Sequence, residues 1–366
     1  MSASAGYRIA RRQAIKTLGA GAAALSMPSI LSGAYAQTGD LAGQTVKIGT
    51  WGGSWRDALE KHIGSKLAAR GAKVEYVIDT PSGNVAKLVA ARGRDAPFDG
   101  FETAPELLPP LAKANMVMKL DYAKMPNSKA LPAFARGDYH VVTGATLDGI
   151  VYNEAKFKEL GIEPPKHYSE LDNPKLKGRV AFPDIAHSQH YNAVLGVALE
   201  AGGDEASMAK AIPVINKIAP AQFYNASVDL GNKFSSGEVW AAPWHAGWAV
   251  RLKRTGVPVA MSYQKFGAKF GAMLPVYYSV SASTKSQAGA LAFADTYLSP
   301  DVQFEFGKFT GSVPMDPAAR AKMAQDPESK GFLMFSDAEL NNAKEVDFSK
   351  IDLAAWREAW TRDIKR

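Results

Sequence analysis

The sequence predicts an α/β protein built as two lobes, with mixed sheets flanked by helices. Three observations point there. Strand-like and helix-like patterns alternate along most of the chain, as they do in sheets covered by helices. The 330 residues after position 36 suffice for two lobes with separate cores. No internal repeat, low-complexity tract, charge run or long flexible linker divides them. The lobes are therefore expected to be joined by several crossing strands.

Residues 46–51 (VKIGTW) alternate as a strand, and Gly52 and Gly53 end it. Ala58, Leu59, Ile63, Leu67 and Ala68 give residues 56–70 helical spacing. Residues 74–78 read as a second strand, broken at 79–83 (DTPSG) ahead of a helix over 84–92. A third short strand is expected at 98–101, then a helix over 104–114 with Pro109 and Pro110 early. This β-α-β-α-β rhythm predicts a largely parallel sheet with helices on both faces. The pattern restarts at 149–153, a β-branched strand followed by a helix over 154–160. After Pro164 and Pro165, residues 177–183 form a strand closed by proline, 191–201 and 206–218 are apolar helices, and 238–242 is a buried strand. Helices follow over 286–297 and 300–309. Trp356 and Trp360, spaced i, i+4, mark a last one over 353–364.

The first 36 residues read as an export leader. Arg11 and Arg12 open a twin-arginine signature (RRQAIK), a weakly apolar stretch spans 17–31, and Ala34-Tyr35-Ala36 is a small-x-small cleavage site. Gly19, Gly21, Ser26 and Pro28 leave the apolar stretch too short and too broken for a membrane span, which needs about 20 apolar residues. The remainder is expected to be soluble and periplasmic. The leader holds four basic residues and no acid, so residues 37–366 carry +3 of the chain's +7. No clustered basic face points to nucleic acid. With no cysteine in the chain, disulfides, thiol catalysis, cysteine metal sites and lipobox acylation are excluded.

Few motifs carry chemistry. The glycines at 19 and 21 lie in the leader and follow no strand, so they make no dinucleotide fingerprint. There is no P-loop, and Gly52-Gly53-Ser54-Trp55 lacks the glycine that a nucleophile elbow carries two residues past its serine. Of six histidines only His187 and His190 are close, with no third ligand beside them. Neither a metal nor a cofactor is expected. What remains is a set of polar and aromatic residues at strand-to-helix junctions. Trp51, Gly53, Ser54 and Trp55 follow the first strand, Ser82 the second, and Glu102 and Thr103 the third. His190, Tyr191 and Asn192 open the helix after Pro183, and Tyr224, Asn225 and Ser227 open another. Trp244, His245 and Trp248 follow the 238–242 strand. In open α/β sheets ligands bind at the carboxyl ends of strands. There glycines admit a ligand to the backbone and helix N-termini offer free N–H groups. Aromatic walls with sparse polar anchors describe a small-molecule site.

Residues 46–55, 144–153 (GATLDGIVYN), 176–183 (LKGRVAFP), 234–239 (FSSGEV), 292–303 (AFADTYLSPDVQ) and 311–314 fall in one order across nearly all of 37–366. In these stretches the chain resembles the extracellular solute-binding proteins of ABC importers, in the branch that includes spermidine/putrescine-binding proteins. The resemblance implies a type II periplasmic-binding-protein fold: two α/β lobes around a cleft, hinged by strands crossing near 143–146, 273–277 and 311–314. One lobe would comprise 37–143 and 276–311, the other 147–272 and 315–366. A small-molecule solute would close the cleft, and the closed monomer would be presented to the transmembrane subunits of an ABC permease.

Trp51 matches the family's first-strand tryptophan. His190 and Ala193 stand where polyamine binders carry acids, His245 where they carry a tryptophan, and Leu274-Pro275-Val276 where they carry Trp-x-Asp. The aromatic set suits an amine, betaine, amino-acid derivative or polyamine-like solute by cation–π contact, while helix N-termini with His190 and His245 could hold a carboxylate. Tyr277 completes the expected ligand set. With Tyr278 it is similar to the paired tyrosines of ferric-ion binders, which makes ferric ion or an organic acid the alternative cargo. The competing readings are a hydrolase-like envelope enzyme and a ligand-presenting sensor. The absence of a nucleophile motif, metal cluster or carboxylate pair argues against the enzyme.

Overall fold

The computed structural model describes residues 41–366, apart from Gly93 and the side chain of Ser349. The expected leader, 1–36, lies outside the described residues.

The strands among them are β1 (Thr45–Thr50), β2 (Lys73–Ile78), β3 (Gly100–Thr103), β4 (Val141–Asn153), β5 (Ala181–Pro183), β6 (Gln222–Tyr224), β7 (Ala241–His245), β8 (Val259–Ser262), β9 (Lys265–Phe266), β10 (Lys269–Phe270), β11 (Ala272–Val280), β12 (Val313–Pro314) and β13 (Lys344–Glu345). Nine of these share one sheet. Its main path runs β12-β4-β11-β3-β1-β2, with β7 and β8 joining β4 and β13 joining β11. The pairs β5-β6 and β9-β10 stand apart.

The sheet is mixed rather than largely parallel. β1 runs parallel to β2 and β3, but β11 is antiparallel to β3 and β4, and β7, β8 and β12 are antiparallel to β4. Neighbouring parallel strands need a crossover between them, usually a helix. The alternation over residues 45–103 supplies two such crossovers, whereas β11 enters the sheet from the far end of the chain.

β4 and β11 carry the architecture, with 13 and 9 residues. The first half of β4 pairs with β11 and β12, and its second half with β7 and β8. One continuous strand thus links the β1-β2-β3 half to the β7-β8 half. Periodicity finds only the end of β4, at 149–153, and the crossing strand near 143–146 was expected from the resemblance alone. Every residue of β4 except Thr146 is buried, so no polar face alternates to announce the strand.

Most helices form close to their expected places, although those expected over 104–114 and 206–218 begin only at Leu108 and Ala211. Those at His190–Glu200, Gln287–Tyr297, Pro300–Thr310 and Leu353–Asp363 lie within one residue of expectation at each end. The run expected over 56–70 starts at Ser54 and ends at Ala69, with a π turn at Glu60–Gly64. The buried strand expected at 238–242 is β7, three residues later, which puts Trp244 and His245 at its carboxyl end.

The largest apolar cluster runs from Val46, Ile48 and Leu59 through Val142 and Leu147 to Trp244. A second joins Tyr168, Phe182 and Val194 to Trp356 and Trp360. The tail is split between them. Pro317–Met323 packs on Pro300–Thr310 and β12, whereas Leu353–Asp363 covers the start of the His190–Glu200 helix. Asp352 caps that last helix by accepting from the N–H groups of Ala354 and Ala355.

Candidate ligand site

The carboxyl end of β1 turns through Gly53, whose φ of 63° favours glycine. Trp51 is half-buried and meets Trp55 edge-on, with ring centroids 5.2 Å apart. Trp55 leans on Phe306 at 4.8 Å and donates its indole N–H to the Glu102 carboxylate at 2.8 and 3.0 Å. Glu102 is fully buried and also accepts from the hydroxyls of Thr50 and Tyr297. Burial pushes its carboxyl up to about 7 despite these bonds. Ser54 and Ser82 are exposed. At the end of β3, Thr103 is fully buried and its hydroxyl has no partner. Asn84, in the first turn of the Pro81–Ala90 helix packed on β3, is equally buried, and neither of its amide atoms is paired. Glu106, just past Thr103, has one unpaired carboxylate oxygen, and burial raises its pKa.

In the other half, Asn192 donates its side-chain amide to Asp148 on β4. Asp148 is buried, its second oxygen is unpaired, and burial pushes its carboxyl up to about 7. His245 is the cross-strand partner of Asp148. It is 9% exposed with Nδ1 unpaired, and burial followed by the nearby Arg251 charge holds it well below the usual histidine range. His190 donates from Nδ1 to the Pro183 carbonyl at 3.1 Å, which leaves Nε2 a bare acceptor without a partner. Its ring meets the edge of Trp360 at 4.4 Å. Tyr191 lies against Phe348 and Trp356. Trp244 is buried, stacked on Phe234 and Trp248, and its indole N–H goes to Ser227. Asn225 is exposed.

Tyr277, on the crossing strand β11, stacks on His140 with centroids 3.7 Å apart and donates to Glu345 at 3.3 Å. It pairs in register with Thr103. The Glu106 charge reaches both Tyr277 and Tyr191 and helps raise their phenols. Thus Thr103 and Tyr277 lie side by side, with Glu106 within electrostatic reach of Tyr191 and Tyr277. Ser54, Ser82 and Asn225 lie exposed at strand ends without a buried polar partner. His187 and His190 make separate contacts, to Ser227 and to Pro183, and no group of three metal-ligating residues is placed to hold an ion among the described residues.

Sequence reasoning passed over Asn84, Glu106, Asp148 and His187 as site residues. Asp148 had left a signal, because a single acid inside the apolar run of 147–153 must be buried with its strand. Two surface recesses, of about 470 and 440 Å³, lie elsewhere: one beside Asn153, Gly237 and Pro258, the other beside Gln44, Asp99 and Lys285. Neither holds any of the unpaired groups above. The chemistry of the buried polar atoms is the better guide to the site.

The family model of the bacterial extracellular solute-binding proteins matches residues 59–331. The chain belongs to that family. Its place is therefore outside the cytoplasmic membrane, and no helix among the described residues is long and apolar enough to cross one. The fold is shared with solved structures. An ABC transporter protein of Clostridium perfringens is 22% identical with a TM-score of 0.69, covering 87% of this chain and 100% of that one. The PBP AgtB of A. tumefaciens R10, in complex with agropinic acid, is 18% identical with a TM-score of 0.66, covering 87% and 96%. A protein of Listeria monocytogenes assigned to spermidine/putrescine ABC transport is 18% identical with a TM-score of 0.68, covering 87% and 98%. These neighbours carry the two-lobed mixed α/β fold expected from the sequence. No curated protein sequence matches the chain significantly.

Proposed function

We propose that this solute-binding protein serves an ABC importer. It is exported by the twin-arginine route to the periplasm. A small organic solute bearing an amine binds between the lobes formed by 37–143 with 276–311 and by 147–272 with 315–366. The protein delivers that solute unchanged, as a monomer, to the transmembrane subunits of the permease. One observation carries the reading. Buried unpaired atoms are carried by Asn84, Thr103 and Glu106 on one half and by Asp148, His190 and His245 on the other. A buried polar group without a partner costs about 1–3 kcal/mol, so such groups on both halves support a polar guest that completes their bonds. Glu106 and Asp148 add two carboxyls that burial disfavours as anions, and a cationic amine offsets that cost. Tyr191, Tyr277 and Trp51 supply aromatic faces for the same cation. The cargoes of the fold's neighbours, agropinic acid and polyamines among them, fall in this size range.

The test is native mass spectrometry of the gently purified periplasmic protein, followed by analysis of any released solute. Retention of one amine-bearing molecule by a monomer, recovered with its mass unchanged after incubation, is the expected result. Conversion of the solute to a product rejects the reading in favour of an enzyme. In a thermal-shift assay the solute at 100 times its dissociation constant should add about 2.7 kcal/mol of stability.

A further inference from the structure

A buried polar layer lies over the carboxyl end of β3. The Pro81–Ala90 helix is the crossover between β2 and β3, which both run parallel to β1, so the helix runs against them. Asn84 and Leu88 share one face of that helix. Phe101 and Thr103 share one face of β3. Leu88 and Phe101 belong to the same apolar cluster, and the helix packs on β3. Four helix residues advance about 6 Å and two strand residues about 6.6 Å. Asn84 is therefore carried over Thr103 as Leu88 is carried over Phe101. Both polar residues are 0% exposed. Among the described residues, neither amide atom of Asn84 and not the Thr103 hydroxyl has a hydrogen-bond partner, so they do not satisfy each other. Tyr277 stands opposite Thr103 and packs on the same cluster, walling the layer on the β11 side. Glu106, three residues past Thr103, keeps one buried carboxylate oxygen unpaired, and its charge reaches Tyr277.

We propose that Asn84 and Thr103 form a subsite for a carboxamide group of the solute, a primary amide or a lactam. An asparagine side chain offers N–H donors and a C=O acceptor side by side in one plane. Its complement presents an acceptor and a donor with the same spacing, as a carboxamide does. A carboxylate brings only acceptors and an ammonium only donors. The first would leave the Asn84 oxygen unpaired and the second its amide N–H groups, and a buried orphan weakens binding. The Thr103 hydroxyl, free to donate or accept, meets what remains of the same group. Both side chains are sealed from solvent, so the guest enters only when the halves part, by the hinge motion open to two lobes. Because this inference rests on the solute-binding reading, it narrows the cargo to an amino-amide: an amine for Glu106 and Asp148, and a carboxamide for Asn84 and Thr103.

Two measurements test it. The solute released from the purified protein is identified by mass spectrometry. Protein freed of solute by unfolding and refolding is then titrated calorimetrically with that solute and with a chain-matched series: 5-aminopentanamide, 5-aminopentanoate and 1,5-diaminopentane. The expected result is a carboxamide in the released solute and at least tenfold tighter binding of 5-aminopentanamide than of the other two. Asn84→Leu keeps the size of the side chain, suits a helix better and removes two unpaired buried atoms. Without solute it should melt at or above the wild-type temperature, yet it should bind the amide at least tenfold more weakly. Thr103→Val, equal in shape, should weaken it threefold or more. If buried water alone satisfies Asn84, then Asn84→Leu melts higher and binds as wild type does. That result, or wild-type affinity in Thr103→Val should Asn84→Leu not fold, overturns the subsite and leaves solute binding intact. A released solute without an amide, or equal affinity across the series, does the same. A protein that carries no solute and binds none of the series fails the function reading itself.

Discussion

Glu102 shows how one buried group serves the site at a distance. Its carboxylate holds the Trp55 indole, and Trp55 in turn meets Trp51. Trp51→Ala should therefore weaken solute binding about tenfold with little change in melting temperature. Trp55→Ala should cost both affinity and a few kcal/mol of stability, because its ring packs on Phe306 as well. Equal behaviour of the two in paired calorimetry and thermal melts would contradict this division. Glu102 also sets a pH dependence. Its folded pKa, about 7, exceeds the ordinary glutamate value of 4.5, so the folded state holds its proton longer than the unfolded chain does. The associated stability is full below about pH 4.5 and is lost as pH rises through 7, by up to about 3 kcal/mol. His187 and His190 act in the opposite sense. Their folded pKa values, lowered to about 4 and about 3, make stability fall as pH drops below 6.5. Glu102→Gln removes only the first effect. Its melting temperature minus that of wild type should rise from pH 5 to pH 8, and a constant difference would show that Glu102 is not so strongly desolvated.

The elements of the site are strand ends aimed at helix starts, and they divide in how readable they were. The Leu353–Asp363 helix was legible because Trp356 and Trp360 share a face at i, i+4. The use of that face was not. Trp360 lies against His190, Phe182 and Phe223, so the C-terminal helix braces the helix that carries Asn192. Trp360→Ala is expected to cost about 3–5 kcal/mol and to lower solute affinity through the loosened helix, measured by denaturant melts and calorimetry on the same protein. A stability loss without any affinity loss would mean that the brace does not reach the site. The first half of β4 was illegible to periodicity for the opposite reason: it is buried on both faces and carries no periodic contrast.

For the whole molecule, β4 and β11 run through both halves, and the halves also touch backbone to backbone. Gly311 has a φ of 72°, and a side chain there would begin 2.4 Å from the Gly247 backbone. Gly247, in turn, would push against the Thr310 and Gly311 carbonyls. The start of Ala246–Arg254 can sit this close to the end of Pro300–Thr310 only because both positions lack a Cβ. Gly247→Ala should force the two helices apart. The expected outcome is weaker solute binding and a larger radius of gyration in the presence of solute, read by small-angle scattering. Wild-type values for both would show that the contact does not govern closure.

The amino-acid order by itself determined the α/β class, most helices and the family, because these follow from local periodicity, from proline and glycine breaks, and from short stretches kept in one order. Only the tertiary structure decided which junction residues carry free chemistry. Trp244 and Tyr191 are packed against other aromatics, while Asn84 and Glu106, unremarkable along the chain, are buried with unmatched polar atoms, as is Asp148. Pairing and desolvation depend on what long-range contacts bring alongside each atom, and that information is not local to any stretch of the chain.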